Sequence, residues 1–526
     1  MIRSEDSAFA APDPCALHLV HTIGTIQPHG LLFAVTAADL IVRRVSANVE
    51  TFLGMPAAHV VGRSLELVFG RAQCNAFRVR LAAGDLWPAC LRLRLGPNAL
   101  EMDCTARAQD DIVVVELELV EGGASSETLS LSARLQAALL RMEQATDLVT
   151  LVELAASETR RVSGFDRVMV YRFDDSWAGE VIAEAMAPDP VAYLGLHFPA
   201  SDIPPQARRL FIMNRLRTIA DVSAEAVPIV SEAGPQGLVP LDLTFSSLRS
   251  AAPIHLEYLR NMGVQASMTI SIIVDHQLWG MIACHHRTPL RLDPSSRTIC
   301  ELIGLNLNAQ VALRIENAAL GEQLATRQSL EAYMTGVERM AASQERRRFE
   351  TKELLTIFGA DGCVSRIGGV VSYRGKTVPE ESLQPVIDKL RALSLRGIAS
   401  SNKLSTLEPS AARYKSGASG ALYVGLAHGS GDYLMLLRRE LVETIDWAGN
   451  PDKTLTTDRH GQLAPRTSFA VWQETLRGRS LRWTEAQLDC ARFLREQLLR
   501  LGDARRLREA ERRITQGSDP SKAGLN

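Results

Sequence analysis

The chain has 526 residues, of which 46% are hydrophobic and 22% are charged, as expected for three or four ordinary globular domains with apolar cores. Its 58 basic and 60 acidic residues leave a formal net charge of −2, which excludes a global basic field for nucleic acid or an acidic membrane. No stretch approaches the roughly 18 consecutive apolar residues of a membrane span. The polar N-terminus also lacks the apolar core of a signal peptide.

The eight cysteines are scattered and form no CxxC pair. This spacing argues against a zinc site and against a disulfide framework. The sequence therefore predicts a cytoplasmic protein without a structural metal.

The first region, residues 30–125, reads as short strands separated by turns. The next segment, EGGASSE at 121–127, breaks this pattern and predicts a domain boundary, after which a helix is expected over about 128–145. The predicted strands are rich in β-branched residues and cover 31–35, 40–45 and 111–120.

The second region, about 126–316, mixes helices and strands. A strand is predicted at 167–173 and a hairpin at 267–286, turning near Asp275 and His276. Asp293 followed by proline predicts a helix N-terminus, and the helical pattern continues to about residue 345. A helix of that length predicts a spine between domains and a dimer contact.

The third region repeats this mixed character. A hairpin is predicted at 421–441, and a long turn-rich connection follows at 445–480, where such length favours a functional segment. Thr484 and Gln487 have the spacing of a capping box at the start of the last helix. The tail, 515–526, has a disordered composition.

Three places carry side chains suited to ligand binding. His255 and Tyr258 share one face of a predicted helix, which is equally compatible with a core face. In the hairpin, His286 is assigned to the face of Cys284, opposite a polar row of Ser267, Thr269 and Ser271 that a ligand with carboxylates would satisfy.

The third place is the segment FPASDIPPQARRLF at 198–211, where a double proline holds Asp202 just ahead of a helix. Its charge also suits the helix dipole. Guanidinium groups bind carboxylates bidentately, and this makes nearby arginines candidate anion clamps. These are Arg208, Arg209, Arg217 and Arg249.

Five segments in this order resemble the photosensory module of bacterial phytochromes. They are Cys15 followed by IQPHG at 26–30, PASDIPPQAR at 199–208, the His255 helix with YLRNMGV, the strand LWGMIACHH, and PRTSF at 465–469. The resemblance implies an α+β fold of three tandem α+β sensor domains, PAS, GAF and PHY, joined by long helices. It implies a PAS domain at 1–125, a GAF domain at 126–316, and a PHY domain at 317–514 with a tongue hairpin at about 445–480.

The resemblance also implies a cofactor, biliverdin IXα, joined by a thioether to Cys15. Plant and cyanobacterial relatives often carry their attachment cysteine just before the helix histidine, where this chain has Ile254. This difference favours biliverdin over a phytobilin.

The same resemblance implies a role in pigment binding for each matching residue. Asp202 faces the pyrrole nitrogens and pairs with Arg466 of the tongue. His255 binds near the central pyrroles, and His286 bonds the ring D carbonyl. The remaining contacts are an aromatic wall of Tyr171, Phe198 and Tyr258, and propionate contacts of Arg217, Arg249, Ser267 and Thr269. Phe211 departs from the family's usual tyrosine, which removes one propionate hydrogen bond.

The implied function is a red and far-red light photoreceptor that isomerises ring D, refolds its tongue and signals through a helical spine as a homodimer. No histidine follows His460 and no ATP-binding glycine motif follows the last helix, so we do not expect an enzyme. The chain is then either a truncated photosensory core or a protein whose output is contact with a partner. The alternative is a light-independent GAF-type sensor of a small ligand, and the motifs leave the dark resting state open.

Overall fold

The computed structural model describes residues 20–84, 90–120, 127–188, 191–231, 240–342, 351–426, 431–452, 455–457 and 463–517. Cys15, the segment 427–430 and most of the predicted tail lie outside these residues. The chain forms two compact units. Unit 1 comprises residues 1–314 and 446–473, and unit 2 comprises residues 315–445 and 474–526.

The N-terminal part of unit 1 is a sheet covered by helices on one face. Its elements are β1 (Thr25–Ile26), β2 (Gly30–Thr36), β3 (Val42–Ser46), α1 (Val49–Leu53), α2 (Ala57–Val60), α3 (Glu66–Ala83), β4 (Leu91–Leu95), β5 (Leu100–Gln109) and β6 (Ile112–Leu119). Alternating side chains such as Phe33, Val115 and Leu117 bury one face of this sheet in an apolar core.

The next part of unit 1 is a second α+β layer, whose last helix, α8, begins in unit 1 and ends in unit 2. Its elements are α4 (Glu127–Glu143), α5 (Leu148–Ser163), β7 (Arg167–Phe173), β8 (Gly179–Met186), β9 (His197–Phe198), α6 (Pro205–Met213), β10 (Leu216–Ile219), β11 (Val227–Ser231), α7 (Pro253–Asn261), β12 (Ala266–Val274), β13 (Gln277–His286) and α8 (Pro294–Ala342). Strand β11 does not join the sheet formed by the other strands of this layer. It pairs with β1 and β3 and so belongs to the N-terminal sheet.

Unit 2 is built around a third antiparallel sheet. Its helices and strands are α9 (Thr351–Phe358), β14 (Gly362–Ile367), β15 (Val370–Gly375), α10 (Glu380–Leu393), β16 (Ile398–Ser401), α11 (Leu404–Leu407), β17 (Gly420–Gly425), β18 (Tyr433–Arg438) and α12 (Glu485–Gly517). The strand order is β15-β14-β18-β17-β16, and both faces are apolar.

The long connection between β18 and α12 contains four strands. They are β19 (Glu443–Ala448), β20 (Leu455–Thr457), β21 (Leu463–Pro465) and β22 (Val471–Leu476). Strands β20 and β21 pair with each other, while β19 and β22 extend the sheet of unit 1 in the order β10-β12-β13-β7-β8-β9-β19-β22. The predicted tongue is thus a hairpin whose far part, residues 446–473, belongs to unit 1.

Several local predictions are confirmed. The hairpin of β12 and β13 turns at Asp275 and His276, both with positive φ, as a two-residue type I′ turn requires. Asp293 caps α8 by accepting a hydrogen bond from the Ser296 amide at 3.0 Å. Thr484 and Gln487 form the predicted reciprocal capping box, with hydrogen bonds of 3.1 and 3.3 Å.

Among the described residues, no helix combines the length and the apolarity needed to cross a bilayer. Within the same residues, no group of three or more histidine, cysteine or acidic side chains is arranged to hold a metal ion.

Candidate ligand-binding site

An ion pair buried in unit 1 joins two distant segments of the sequence. Asp202 lies in a short 3-10 helix ahead of α6, and its carboxylate accepts a hydrogen bond from Nη2 of Arg466, which follows β21. Their side chains are only 7% and 4% exposed. The pair expected between these residues is therefore present in the structure.

Other donors and acceptors complete this ion pair. The Tyr258 hydroxyl on α7 donates to the same Asp202 oxygen at 2.8 Å, and Asn261 donates to the Arg466 carbonyl at 3.2 Å. Arg466 also donates to the Ala448 carbonyl. Burial raises the pKa of Asp202 to about 6, although Arg466 and Tyr258 oppose that shift by stabilising the carboxylate.

Aromatic rings surround the ion pair. The Tyr171 ring on β7 lies 5.9 Å from that of Phe198, and the Tyr258 ring meets that of Phe469 edge-on at 5.3 Å. Tyr171 needs a glycine at the start of β8, because a Cβ at Gly179 would fall 1.7 Å from its ring. Sequence reasoning missed Gly179, although a glycine in a strand signals such a close approach.

His255 lies next to this aromatic group. Its ring stacks on that of Tyr258 with 6.2 Å between centroids. The residue is exposed, yet the surrounding protein lowers the pKa of His255 to about 4, mainly by desolvation and further through the positive charge of Arg217. A neutral imidazole on an exposed residue is suited to contact a ligand.

The hairpin contributes His285 to the site, and the prediction for His286 is corrected. Ser267 lies directly opposite His285, so these two side chains share a face. His286 points the other way: its ring packs edge-on against Phe165, and Nδ1 lies 3.1 Å from the Asp166 carboxylate. The structure does not bring His286 together with the other predicted site residues.

A β-bulge explains the difference. Ile273 pairs with Leu278, but Ile272 pairs with Gly280, so Trp279 is an extra residue in β13. Without it, Ser267 would oppose Cys284, and the polar row would share a face with His286. One inserted residue exchanges the faces of everything beyond it. The interior glycine, Gly280, was the signal in the sequence.

His285 is the residue that sequence reasoning missed. Desolvation lowers its pKa to about 3, with the nearby positive charge of Arg167 contributing further. His285 is therefore neutral at physiological pH and lies on the same face as Ser267, Thr269 and Ser271.

Two arginines form the cationic side of the site. Arg217 on β10 lies opposite Thr269, and its guanidinium donates to the carbonyls of Ser246, Ser247 and Arg249. Arg249 is 5% exposed, and its Nε is buried without an acceptor among the described residues. Burial and mutual repulsion lower the pKa of Arg217, so an anionic ligand would stabilise both charges.

Two remaining expectations have simple outcomes. Phe211 packs with the aromatic cluster of Tyr171 and Phe198, and its carbonyl accepts a hydrogen bond from Ser271 at 2.6 Å. Cys15 lies outside the described residues, so its predicted attachment role stays a prediction.

Comparison with known proteins agrees with this architecture. The PAS fold family matches residues 15–120, the GAF domain family 147–315, and the phytochrome region family 322–506. A bacteriophytochrome of Xanthomonas campestris is 34% identical over 497 residues, which are 92% of this chain and 77% of that protein. The phytochrome-like protein Cph1 of Synechocystis is 35% identical, and the chain spans 65% of its length.

Solved structures lead to the same family. The photosensory core module of the Stigmatella aurantiaca phytochrome is 31% identical with a TM-score of 0.81, covering 93% of this chain and 98% of that one. A bacteriophytochrome from R. palustris is 34% identical with a TM-score of 0.83, covering 93% and 99%. The fold is a PAS-GAF-PHY photosensory architecture, and the chain belongs to the phytochrome family.

Proposed function

We propose that this protein is a red and far-red light photoreceptor that holds biliverdin IXα as a thioether at Cys15. Membership of the phytochrome family supports light sensing. The observation that carries the proposal is the buried Asp202–Arg466 pair, whose partner Tyr258 also stacks on His255. A light-independent ligand sensor has no use for a tongue arginine buried on that carboxylate.

The donor set fits a linear tetrapyrrole with carboxylate side chains. Arg217 and Arg249 supply positive charge, and the unpartnered Nε of Arg249 offers a hydrogen bond. Ser267 and Thr269 add hydroxyl groups on the same sheet face as His285. Tyr171, Phe198 and Tyr258 offer flat apolar walls for the pigment rings.

Thioether formation requires a reactive thiol, and the environments of other cysteines favour Cys15 by contrast. Burial raises the pKa of Cys90 to about 11 and that of Cys300 and Cys363 to about 12. A thiol held in its neutral form is a poor nucleophile. The thiol pKa of Cys104, Cys284 and Cys490 is raised in the same way.

The bound pigment supplies light absorption and isomerisation of the double bond between its rings C and D. In this proposal His255 and His285 provide neutral imidazoles at the pigment's polar atoms, which corrects the ring D contact expected of His286. The stacked Tyr258 orients His255, and Tyr171 is held against Phe198 by a hydrogen bond of 3.4 Å to its carbonyl.

Asp202 and Arg466 act as a latch between two tongue conformations. A buried carboxylate that loses its cation is destabilised, so an alternative partner for Asp202 shifts the tongue equilibrium. Tyr258 already shares the Asp202 oxygen and is placed to be that partner. The tongue hairpin then converts to helix, and the change passes along the long helices α8 and α12.

The same proposal covers the partners. A homodimer through the long helices accounts for the exposed leucines along α8, including Leu313, Leu320 and Leu324. Output of the signal by contact with another protein completes the proposal.

An absorption spectrum after addition of biliverdin, before and after red light, tests the proposal. We expect a red or far-red band that light converts reversibly, with pigment surviving denaturation in the wild type and not in Cys15→Ser. His285→Ala should change the photoconversion, whereas His286→Ala should leave it nearly unchanged. Failure to bind pigment would refute the photoreceptor and favour the light-independent sensor.

A further inference from the structure

A buried carboxylate of the N-terminal sheet, Glu116, holds the loop that carries Arg249. Glu116 lies on β6 and is 4% exposed. One of its oxygens accepts from the Ser246 hydroxyl at 2.5 Å and the Leu248 amide at 2.8 Å. The other accepts from the Ser247 amide at 3.0 Å and its hydroxyl at 3.2 Å. Four donors from three consecutive residues therefore converge on one carboxylate.

The loop fixed by Glu116 leads directly to both arginines of the site. The Ser246 hydroxyl that donates to Glu116 also accepts from the Arg249 amide at 3.0 Å. Arg217 donates to the carbonyls of Ser246, Ser247 and Arg249. The direction of each guanidinium thus depends on the course of residues 246–249, and that course depends on Glu116.

Charge points the same way as geometry. Arg217 is half-buried and Arg249 is buried, and desolvation and the positive charge of Arg249 lower the pKa of Arg217 while the negative charge of Glu116 opposes that shift. Asp242 favours the charged form of Arg249 in the same way. Glu116 thus acts on the charge of Arg217 and, through the loop, on the position of both guanidinium groups.

We propose that Glu116 is a positioning residue that makes the site selective for ligands bearing carboxylates, by fixing residues 246–249 beneath Arg217 and Arg249. This inference rests on the proposed binding of a tetrapyrrole. Glu116 touches no pigment atom in this scheme. Its effect is on where the two cations stand.

Comparison of biliverdin with its dimethyl ester, in which both carboxylates are masked, tests the inference. Affinities are measured by absorbance titration of the full chain carrying Cys15→Ser, which keeps binding reversible. Charge-assisted hydrogen bonds predict that the parent chain prefers the acid by about 10-fold or more. In Glu116→Gln the side chain keeps only one accepting oxygen, so the Ser247 and Leu248 amides cannot both be satisfied. We expect the acid-to-ester ratio to fall at least about fivefold, with ester binding nearly unchanged.

Glu118→Gln is the matched control. Glu118 is a second buried carboxylate two residues along β6, but it pairs with Arg297 and makes no hydrogen bond to the loop. Its loss should leave the acid-to-ester ratio as in the parent. Ser246→Ala removes only the bridging hydroxyl and should reduce the ratio by a smaller factor. It replaces Glu116→Gln as the test if that variant folds poorly.

The outcomes separate the two hypotheses. An unchanged ratio in Glu116→Gln and Ser246→Ala, or an equal loss of acid and ester binding, would overturn the positioning role. A parent chain that binds neither compound would instead overturn the proposed function, and the inference with it.

Discussion

The sheet of the GAF-type layer, which is the second α+β layer of unit 1, and the sheet of unit 2 both contain antiparallel hairpins. They differ in the side chains on one face. In unit 1, that face of β7, β12 and β13 carries hydroxyls, imidazole and phenol groups. In unit 2, the corresponding layer of Tyr423, Tyr433 and Met435 is packed beneath apolar side chains of α10. The two sheets therefore differ in the polarity of one face, and the polar one carries the residues grouped at the candidate site.

Both oxygens of Glu380, at the start of α10, have a partner from the sheet. The Tyr433 hydroxyl donates to Glu380 at 2.6 Å, and Arg366 donates to the other oxygen of Glu380 at 2.9 Å. Tyr423 stacks on Tyr433 at 5.9 Å. A closed network of this kind rigidifies a fold, whereas Asp202 shares one oxygen between two donors that can separate.

Arg438 gives the largest expected effect. This buried arginine of unit 2 donates to the carbonyls of Phe358 and Gly359 at the end of α9 and to Arg482 ahead of α12. Arg438→Met strands these acceptors, and we expect a loss of about 3 kcal/mol or more in the free energy of unfolding. Denaturant unfolding of the chain without pigment measures it.

Arg466→Met provides the comparison in unit 1. Asp202 can relieve its own loss by taking a proton, because its pKa is already about 6, while the carbonyls left by Arg438→Met have no such route. The loss should therefore be clearly smaller than for Arg438→Met. Equal losses would contradict the distinction between a fixed anchor and a separable latch.

Acid should destabilise unit 1 before unit 2. Burial lowers the pKa of His29 to about 4 and that of His285 to about 3, below their value of 6.5 in the unfolded chain. The unfolded state therefore binds more protons, and the stability from neutral histidines is present above pH 6.5 and lost as pH falls. At pH 5 this amounts to about 2 kcal/mol for each.

Asp202 partly offsets this loss, because its raised pKa favours the folded state as pH falls towards 4. Unit 2 carries one histidine, His428. Calorimetry at pH 7 and pH 5 should show the transition of unit 1 shifting down by more degrees than that of unit 2, and His285→Gln should reduce the difference. Equal shifts would refute the assignment.

Local features could be predicted from the sequence, whereas contacts between distant segments could not. Local signals sufficed for the hairpin turn at Asp275, the N-cap at Asp293 and the capping box at Thr484, because each depends on residues within one turn. Asp202 and Arg466 are 264 residues apart, and no periodicity relates them. Only resemblance to a family connected them.

The miss at His286 has a different cause. Alternation along β13 was read correctly, but a bulge at Trp279 shifted the register of the whole strand end. Glu116 also escaped notice, since a charged residue within an otherwise apolar strand carries no sign of the loop 130 residues away that it holds.

Two tyrosine-to-phenylalanine changes compare the closed and the separable network at about 1–2 kcal/mol. Tyr433→Phe leaves a Glu380 oxygen unsatisfied and should lower the stability of unit 2 by that amount. Tyr258→Phe removes a donor that Arg466 duplicates on the same oxygen, so stability should fall less while photoconversion changes more. Thermal unfolding and light-induced difference spectra separate these effects.

The smallest effect lies within one helix. A Cβ at Gly304 of α8 would lie 2.5 Å from Ile270 beneath the sheet of unit 1, whereas a Cβ at Gly321 meets nothing within 4 Å. Gly321→Ala should therefore stabilise the chain by up to about 1 kcal/mol through helix propensity alone. Gly304→Ala gains the same propensity but must displace Ile270, and overpacking of about 1–3 kcal/mol outweighs the gain. Denaturant midpoints that move in opposite directions would show that the core face of this sheet is tightly packed at Ile270. A stabilising Gly304→Ala would mean that the core face yields at Ile270 instead.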